Sequence, residues 1–189
     1  MFKAKRRTVV TVTAVVAVLL AGALAATLLT QGKGNASDDL VTYQAGQRPL
    51  APDITAKSLT GSTINLSSYR GKTLVLNFWG SWCAPCRAEA RTLAYLSREY
   101  GSKGVAFLGD DVEDNPQSGL AFESSYSITY PSINDPGSSV AQEFYKVAPV
   151  NDTPTTIVID KTGHVVGEIL GEVSFGEMTK LLNDAAVIK

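Results

Sequence analysis

The chain has 189 residues, 44% of them hydrophobic, and a formal charge of −1, which is the size of one domain plus appendages. Lysines and arginines nearly balance the carboxylates, and no basic stripe with interleaved aromatics occurs, so no nucleic-acid partner is expected. With only Cys83, Cys86 and His164 as cysteine or histidine, a zinc site of the usual four ligands is excluded as well.

At the amino end Lys3, Lys5, Arg6 and Arg7 precede an uncharged run from Thr8 to Thr30. That run is long enough to cross a bilayer and longer than the core of a typical cleaved signal. Residues 1–30 are therefore expected to be a membrane anchor. A cleaved signal sequence is the alternative, because Ala23-Leu24-Ala25 imitates a cleavage site. Basic residues before the run place that end in the cytoplasm and the rest of the chain outside. Residues 31–47 are polar and glycine-containing, a flexible linker, and the domain is expected over 48–189.

Within the domain, Ile54–Ile64 with Gly61 at its middle predicts a hairpin. Ser67–Lys72 is a polar connection into Thr73–Trp79, an apolar run with the length and composition of a buried strand. Gly80-Ser81 breaks that strand, and from Cys83 onward the spacing is helical. Cys86, Glu89, Leu93, Leu96 and Tyr100 follow 3-4-3-4 steps on one stripe, with Arg87, Arg91 and Arg98 nearly opposite.

The arrangement is strand, turn, Cys-x-x-Cys, helix. As a staple this pair gains little, since a four-residue ring stabilises by only roughly 2 kcal/mol. As a redox pair it is well placed. A thiol at the first turn of a helix faces unpaired N–H groups and the positive end of the macrodipole, which favour thiolate. Cys83 is then the nucleophile towards a disulfide and Cys86 the group that resolves the mixed disulfide. Glu89 lies one turn beneath Cys86; burial there raises its pKa and suits it to proton relay. The competing reading is a stripe-edge glutamate paired with a nearby arginine. Asn77 interrupts the strand six residues before Cys83 and cannot titrate. It is either a hydrogen-bonding partner near the site or plain structural polarity.

Val105–Gly109 predicts a short strand, followed by Asp110-Asp111-Val112-Glu113-Asp114. This acidic run is expected to be a solvated loop, with a face that attracts basic substrate segments as the alternative. Ser118–Tyr126 is expected as a short helix, Tyr130–Asn134 as a strand, Asp135-Pro136-Gly137 as a turn and Ser138–Tyr145 as a further helix. Thr153-Pro154 opens the apolar strand that runs to Asp160. Lys161-Thr162-Gly163 then turns into His164–Leu170, where His164 is a half-exposed hairpin residue. Ser174 and Glu177 have the spacing of a capping box for a closing helix that turns Met178, Leu181 and Leu182 inward.

Trp82-Cys83-Ala84-Pro85-Cys86-Arg87-Ala88-Glu89, together with Thr153-Pro154-Thr155, Ala51-Pro52-Asp53 and Arg70-Gly71-Lys72, resembles the thioredoxin superfamily. The likeness is strongest to its membrane-anchored TlpA/ResA-like branch and covers roughly residue 48 to the end. It implies an α/β, thioredoxin-like fold: a mixed central sheet with helices on both faces, an N-terminal β-hairpin and a central αβ insertion. It further implies a cis peptide bond before Pro154, which faces the cysteine pair, and substrate contact at Trp82, Pro85 and Thr153. Proton transfer at Glu89 follows from it too. No cofactor is called for beyond the redox-active disulfide Cys83–Cys86, and no metal. The implied partners are protein thiols and disulfides of the cell envelope and a membrane thiol–disulfide electron donor. Apocytochrome c, in the course of cytochrome c maturation, is one implied substrate. Extracytoplasmic reduction of protein disulfides is the function expected. A disulfide-forming oxidant, or a non-enzymatic copper or unfolded-partner binding module of the same fold, stands as the alternative.

Overall fold

In the computed structural model, which describes residues 39–186, the apolar run Thr73–Trp79 is the strand β4, buried from Leu74 onward. Strands covered on both faces read as continuous apolar segments rather than as alternating ones. β4 pairs in parallel with β5 (Val105–Val112) on one side and antiparallel with β7 (Thr155–Ile159) on the other. Beyond these lie β6 (Ser132–Asp135), parallel to β5, and β8 (Val165–Leu170), antiparallel to β7. The sheet is completed by β1 (Leu40–Thr42), in the order β1-β8-β7-β4-β5-β6. A separate hairpin of β2 (Thr55–Lys57) and β3 (Thr63–Asn65) leads into a single 3₁₀ turn, Leu66–Tyr69.

The helices are α1 (Ala84–Gly101), α2 (Pro116–Tyr126), α3 (Ser139–Tyr145) and α4 (Phe175–Ala186). On one face of the sheet Val75, Val158 and Ile169 pack with Leu93 and Leu96 of α1 and Met178 and Leu181 of α4. On the other, Leu74, Leu76 and Phe78 pack with Val140 and Phe144 of α3 and with Ile54 and Ile64 of the hairpin region. A third cluster collects Leu59, Trp79, Cys83, Cys86, Ala90 and Phe122. The sheet is mixed, helices cover both faces, and α2 with β6 makes up the central αβ insertion. The capping box is present: the Ser174 and Glu177 N–H groups each meet the other residue's side-chain oxygen.

Two elements differ from the sequence expectation. Leu40–Thr42 falls within the stretch 31–47 read as a linker, yet it pairs with β8 through Leu40↔Ile169 and Thr42↔Gly167. Three residues are too few to show a period, and the strand is held by the edge it covers.

The second difference is larger. The acidic run is not a solvated loop at its start. β5 continues through Asp110 and Asp111, which lie opposite Phe78 and Trp79 of β4 and are fully buried. Central strands are committed by backbone pairing on both edges, and the two aspartates follow their backbone inside. Burial, then the neighbouring Asp114 and Glu123 carboxylates, pushes Asp111 up to about 8. Burial, then Asp135 and Asp111, also raises Asp110 well above the ordinary carboxylate range. Burial therefore favours the neutral acid form of both, which avoids most of the desolvation cost of an ion.

No helix among the described residues is long and apolar enough to cross a membrane. The expected anchor or signal over residues 1–30 lies outside the described residues.

Candidate active site

Cys83 is the N-cap of α1, in an extended conformation, and its Sγ accepts a hydrogen bond from the Cys86 N–H at 3.2 Å. Pro85 occupies the first turn, where a missing N–H is tolerated. Cys83 and Cys86 form a disulfide. The orphan N–H groups of a first turn favour an anion at the N-cap position, which is where the Cys83 sulfur lies. The Thr153–Pro154 peptide bond is cis, and the Thr153 carbonyl oxygen lies 3.5 Å from Cys83 Sγ. Sequence spacing does not bring residues 83 and 153 together; the pairing of β4 with β7 does.

The turn before the cysteines is fastened by the end of β5. The Ser81 N–H donates to Asp114 Oδ2 at 2.9 Å, and the Trp82 indole N–H donates to the Val112 carbonyl at 3.4 Å. Arg87 reaches back to the Ser81 carbonyl at 2.8 Å. Gly80 makes this possible, because a Cβ there would collide with the Trp82 ring. Trp82 is thus held in place while remaining 52% exposed, and Pro85 is exposed beside it. The cysteines are more covered than a surface nucleophile suggests, with Cys83 4% and Cys86 1% exposed. Trp79, Leu59 and Phe122 pack in one cluster with them, and the Thr153 carbonyl sits against Cys83. Trp82, next to Cys83 in the chain, and Thr153, whose carbonyl lies 3.5 Å from its Sγ, are the less buried residues beside the sulfur.

Glu89 is buried on the inner stripe of α1, and neither oxygen meets an arginine. Oε1 accepts from Asn77 Nδ2 at 2.8 Å, and Oε2 accepts from the Val173 N–H at 2.7 Å. Asn77 also donates to Thr156 Oγ1 at 2.9 Å. The arginine-pair reading is thereby excluded: Arg87 binds the Ser81 carbonyl, Arg91 lies over the Tyr126 ring and Arg98 binds the Ser127 carbonyl. Burial pushes the Glu89 carboxyl up to about 7; the Val173 and Asn77 hydrogen bonds pull it back in part, and Glu172 adds to the rise. A carboxyl near 7, one turn from Cys86, is half-ionised at neutral pH and able to take or return a proton. Of the two readings of Asn77, the hydrogen-bonding one holds.

The structure brings Trp82, Cys83, Pro85, Cys86, Thr153 and Pro154 to one end of the sheet, with Glu89 directly behind Cys86 on α1. His164 lies in the turn at the far end of β7, where its Nδ1 meets Thr162 Oγ1. Sequence reasoning did not find Val112, Asp114, Thr156 or the Val173 N–H. Asp114 was visible only as one carboxylate of an acidic run, and a backbone N–H leaves no mark in a sequence.

The AhpC/TSA family model matches residues 48–167. The thiol-disulfide oxidoreductase ResA of Oceanobacillus iheyensis is 32% identical over 156 residues, covering 80% of this chain and 78% of that protein. Among solved structures, a secreted thiol-disulfide isomerase from Corynebacterium glutamicum superimposes with a TM-score of 0.73 at 32% identity, covering 82% of this chain and 96% of that one. A DsbF homologue from Corynebacterium diphtheriae gives 0.72 at 32% identity, with 80% and 96% covered.

Proposed function

Because this chain belongs to the AhpC/TSA thioredoxin-like family and is a thiol–disulfide oxidoreductase, we propose that it works as a reductant of protein disulfides outside the cytoplasm. The observation that carries the reading is the placement of Cys83 Sγ on the Cys86 N–H at the start of α1, with the buried Glu89 one turn further on.

In this reading the reduced Cys83 thiolate attacks one sulfur of a substrate disulfide. A Cys83–substrate bond forms, the substrate S–S bond breaks, and the departing sulfur takes up a proton. Glu89 then accepts the Cys86 proton, and the Cys86 thiolate displaces the second substrate sulfur from Cys83, leaving the Cys83–Cys86 disulfide. Two electrons pass to the substrate; solvent supplies the proton taken up by the first departing sulfur, and Glu89 returns the Cys86 proton to the second. Thr153 and Pro154 line up the incoming chain, with Trp82 and Pro85 flanking the sulfur. The cycle restarts when a thiol carrier in the membrane reduces the pair. The basic residues before the apolar run Thr8–Thr30 support a membrane-tethered, outward-facing domain. Apocytochrome c before haem attachment is a substrate in keeping with the ResA-like resemblance.

Direction is tested by a redox titration of the pair against glutathione buffers. A midpoint in the thioredoxin-to-glutaredoxin range, about −270 to −200 mV, is expected for a reductant. One near −120 mV, where strong oxidants lie, makes the chain a disulfide former instead.

A further inference from the structure

A groove of about 300 Å³ opens beside the reactive pair, with Trp82 and Thr153 among its lining residues. Trp82 adjoins Cys83 in the chain and the Thr153 carbonyl lies 3.5 Å from Cys83 Sγ, so the groove starts beside the sulfur that would bond a substrate chain. Its walls include the exposed rings of Trp82 and of Tyr145, which is 57% exposed, together with Val150. The charged residues among its lining are Glu113 and Asp152, both acidic and exposed, and among the described residues no basic one lines it.

Glu113 stands where the acidic run leaves β5. It has a left-handed backbone (φ 53°) and faces Ser138, also left-handed (φ 54°), whose Oγ donates to Glu113 Oε1 at 3.3 Å. Such a conformation costs a non-glycine residue of order 1 kcal/mol or more. It is held by the Glu113 N–H on the Asp135 carbonyl at 3.2 Å. Nearby basic groups are engaged elsewhere: Lys146 pairs with Glu143, and Arg87 binds the Ser81 carbonyl. Asp152 holds its place through Oδ1, which accepts the Thr153 N–H at 2.8 Å.

Two aromatic side chains with two carboxylates, and no competing cation among the described residues, form a seat for a long cationic side chain. Its methylene stem lies on apolar walls, and its head meets the rings and the acids. We propose that this groove is a subsite for a lysine or arginine carried next to the reacting cysteine of the substrate, and that Glu113 sets the preference. The proposal deepens the disulfide-exchange reading and rests on it. The substrate class is an extended segment with a basic residue flanking its disulfide. Of the acidic run, Asp110 and Asp111 are buried and Asp114 binds Ser81, which leaves Glu113 to meet the partner.

The test uses the reduced full chain and three synthetic peptides, each with one internal disulfide and a lysine, leucine or glutamate beside the attacked cysteine. The readout is the second-order rate of peptide reduction. At low salt the lysine peptide should react about tenfold faster than the glutamate peptide. The ratio should fall to about threefold or less in 1 M salt, where screening reaches roughly 3 Å. Glu113→Gln should reduce the ratio similarly, and Glu113→Lys should invert the order. Both variants should leave the leucine peptide within about twofold of wild type, which shows that the site remains intact. Equal rates for the lysine and glutamate peptides in wild type, or an unchanged order in Glu113→Lys, overturn the subsite while leaving the exchange activity standing. No reaction with any peptide overturns the exchange reading, and the subsite with it.

Discussion

Replacing Cys83 with serine is expected to lower disulfide reduction by on the order of 10³-fold or more, because nothing else in the site can take the nucleophile's place. A hydroxyl does not ionise near neutrality, whereas a thiol titrating near 7 is about half thiolate, against roughly 3% for a free one. The remaining sulfur, Cys86, is 1% exposed and packed behind the first turn, so it cannot substitute. The change should be local. Removing a four-residue ring costs roughly 2 kcal/mol relative to the oxidised protein, and the rest of the core is untouched. Insulin reduction and far-ultraviolet circular dichroism of the same sample check both halves. Full activity in this variant, with the fold retained, excludes Cys83 as nucleophile.

Glu89→Gln is the second large effect, and its two consequences have opposite pH signs. Relative to an ordinary glutamic acid at 4.5, the folded carboxyl is raised to about 7 by burial. A raised acid keeps its proton in the fold while the unfolded chain gives its own up. Its contribution to stability is therefore complete below about 4.5 and is lost as pH rises towards 7, by up to about 3 kcal/mol. Glutamine cannot titrate and has no such slope. It also turns an amide donor towards either Asn77 Nδ2 or the Val173 N–H, both of which are donors, at a cost of roughly 1–3 kcal/mol. The stability deficit of Glu89→Gln should thus be largest near pH 5 and shrink by pH 8, as measured by urea midpoints at the two pH values. A deficit independent of pH contradicts the raised pKa. In kinetics, the step in which Cys86 loses its proton should slow by on the order of 10²-fold. The rate inflection near pH 7 should disappear. An unchanged pH–rate profile removes Glu89 from proton transfer.

The sheet was legible in the sequence where burial makes residues alike. Thr73–Trp79 stands out because a strand covered on both faces cannot alternate, and α1 stands out because Cys86, Glu89, Leu93 and Leu96 keep to one stripe. That stripe also marks Glu89 as a buried carboxylate. What stayed hidden depends on distant partners. Asp110 and Asp111 look like solvent-facing charges because an ionised aspartate is assumed at neutral pH; only the pairing of β5 with β4 and β6 shows that they lie inside. Leu40–Thr42 becomes a strand only because β8 offers an edge. The two donors that fix Glu89 come from residues 12 and 84 positions away, and one of them is a main-chain N–H. The groove beside Trp82 joins α1's entry to segments near residues 113, 138 and 152, and no local pattern announces that meeting.

Nucleophilic attack by Cys83 requires the Cys86 N–H and the first turn of α1 to hold its sulfur as thiolate. The direct measurement is the rate of iodoacetamide labelling of each cysteine in the reduced full chain, followed by peptide mapping across pH. Cys83 should label first, with an apparent pKa near 7 or below, and Cys86 should lag well behind it. If Cys83 labels no faster than a free thiol, with a pKa of about 8.5, the assignment of the nucleophile and the mechanism built on it are contradicted.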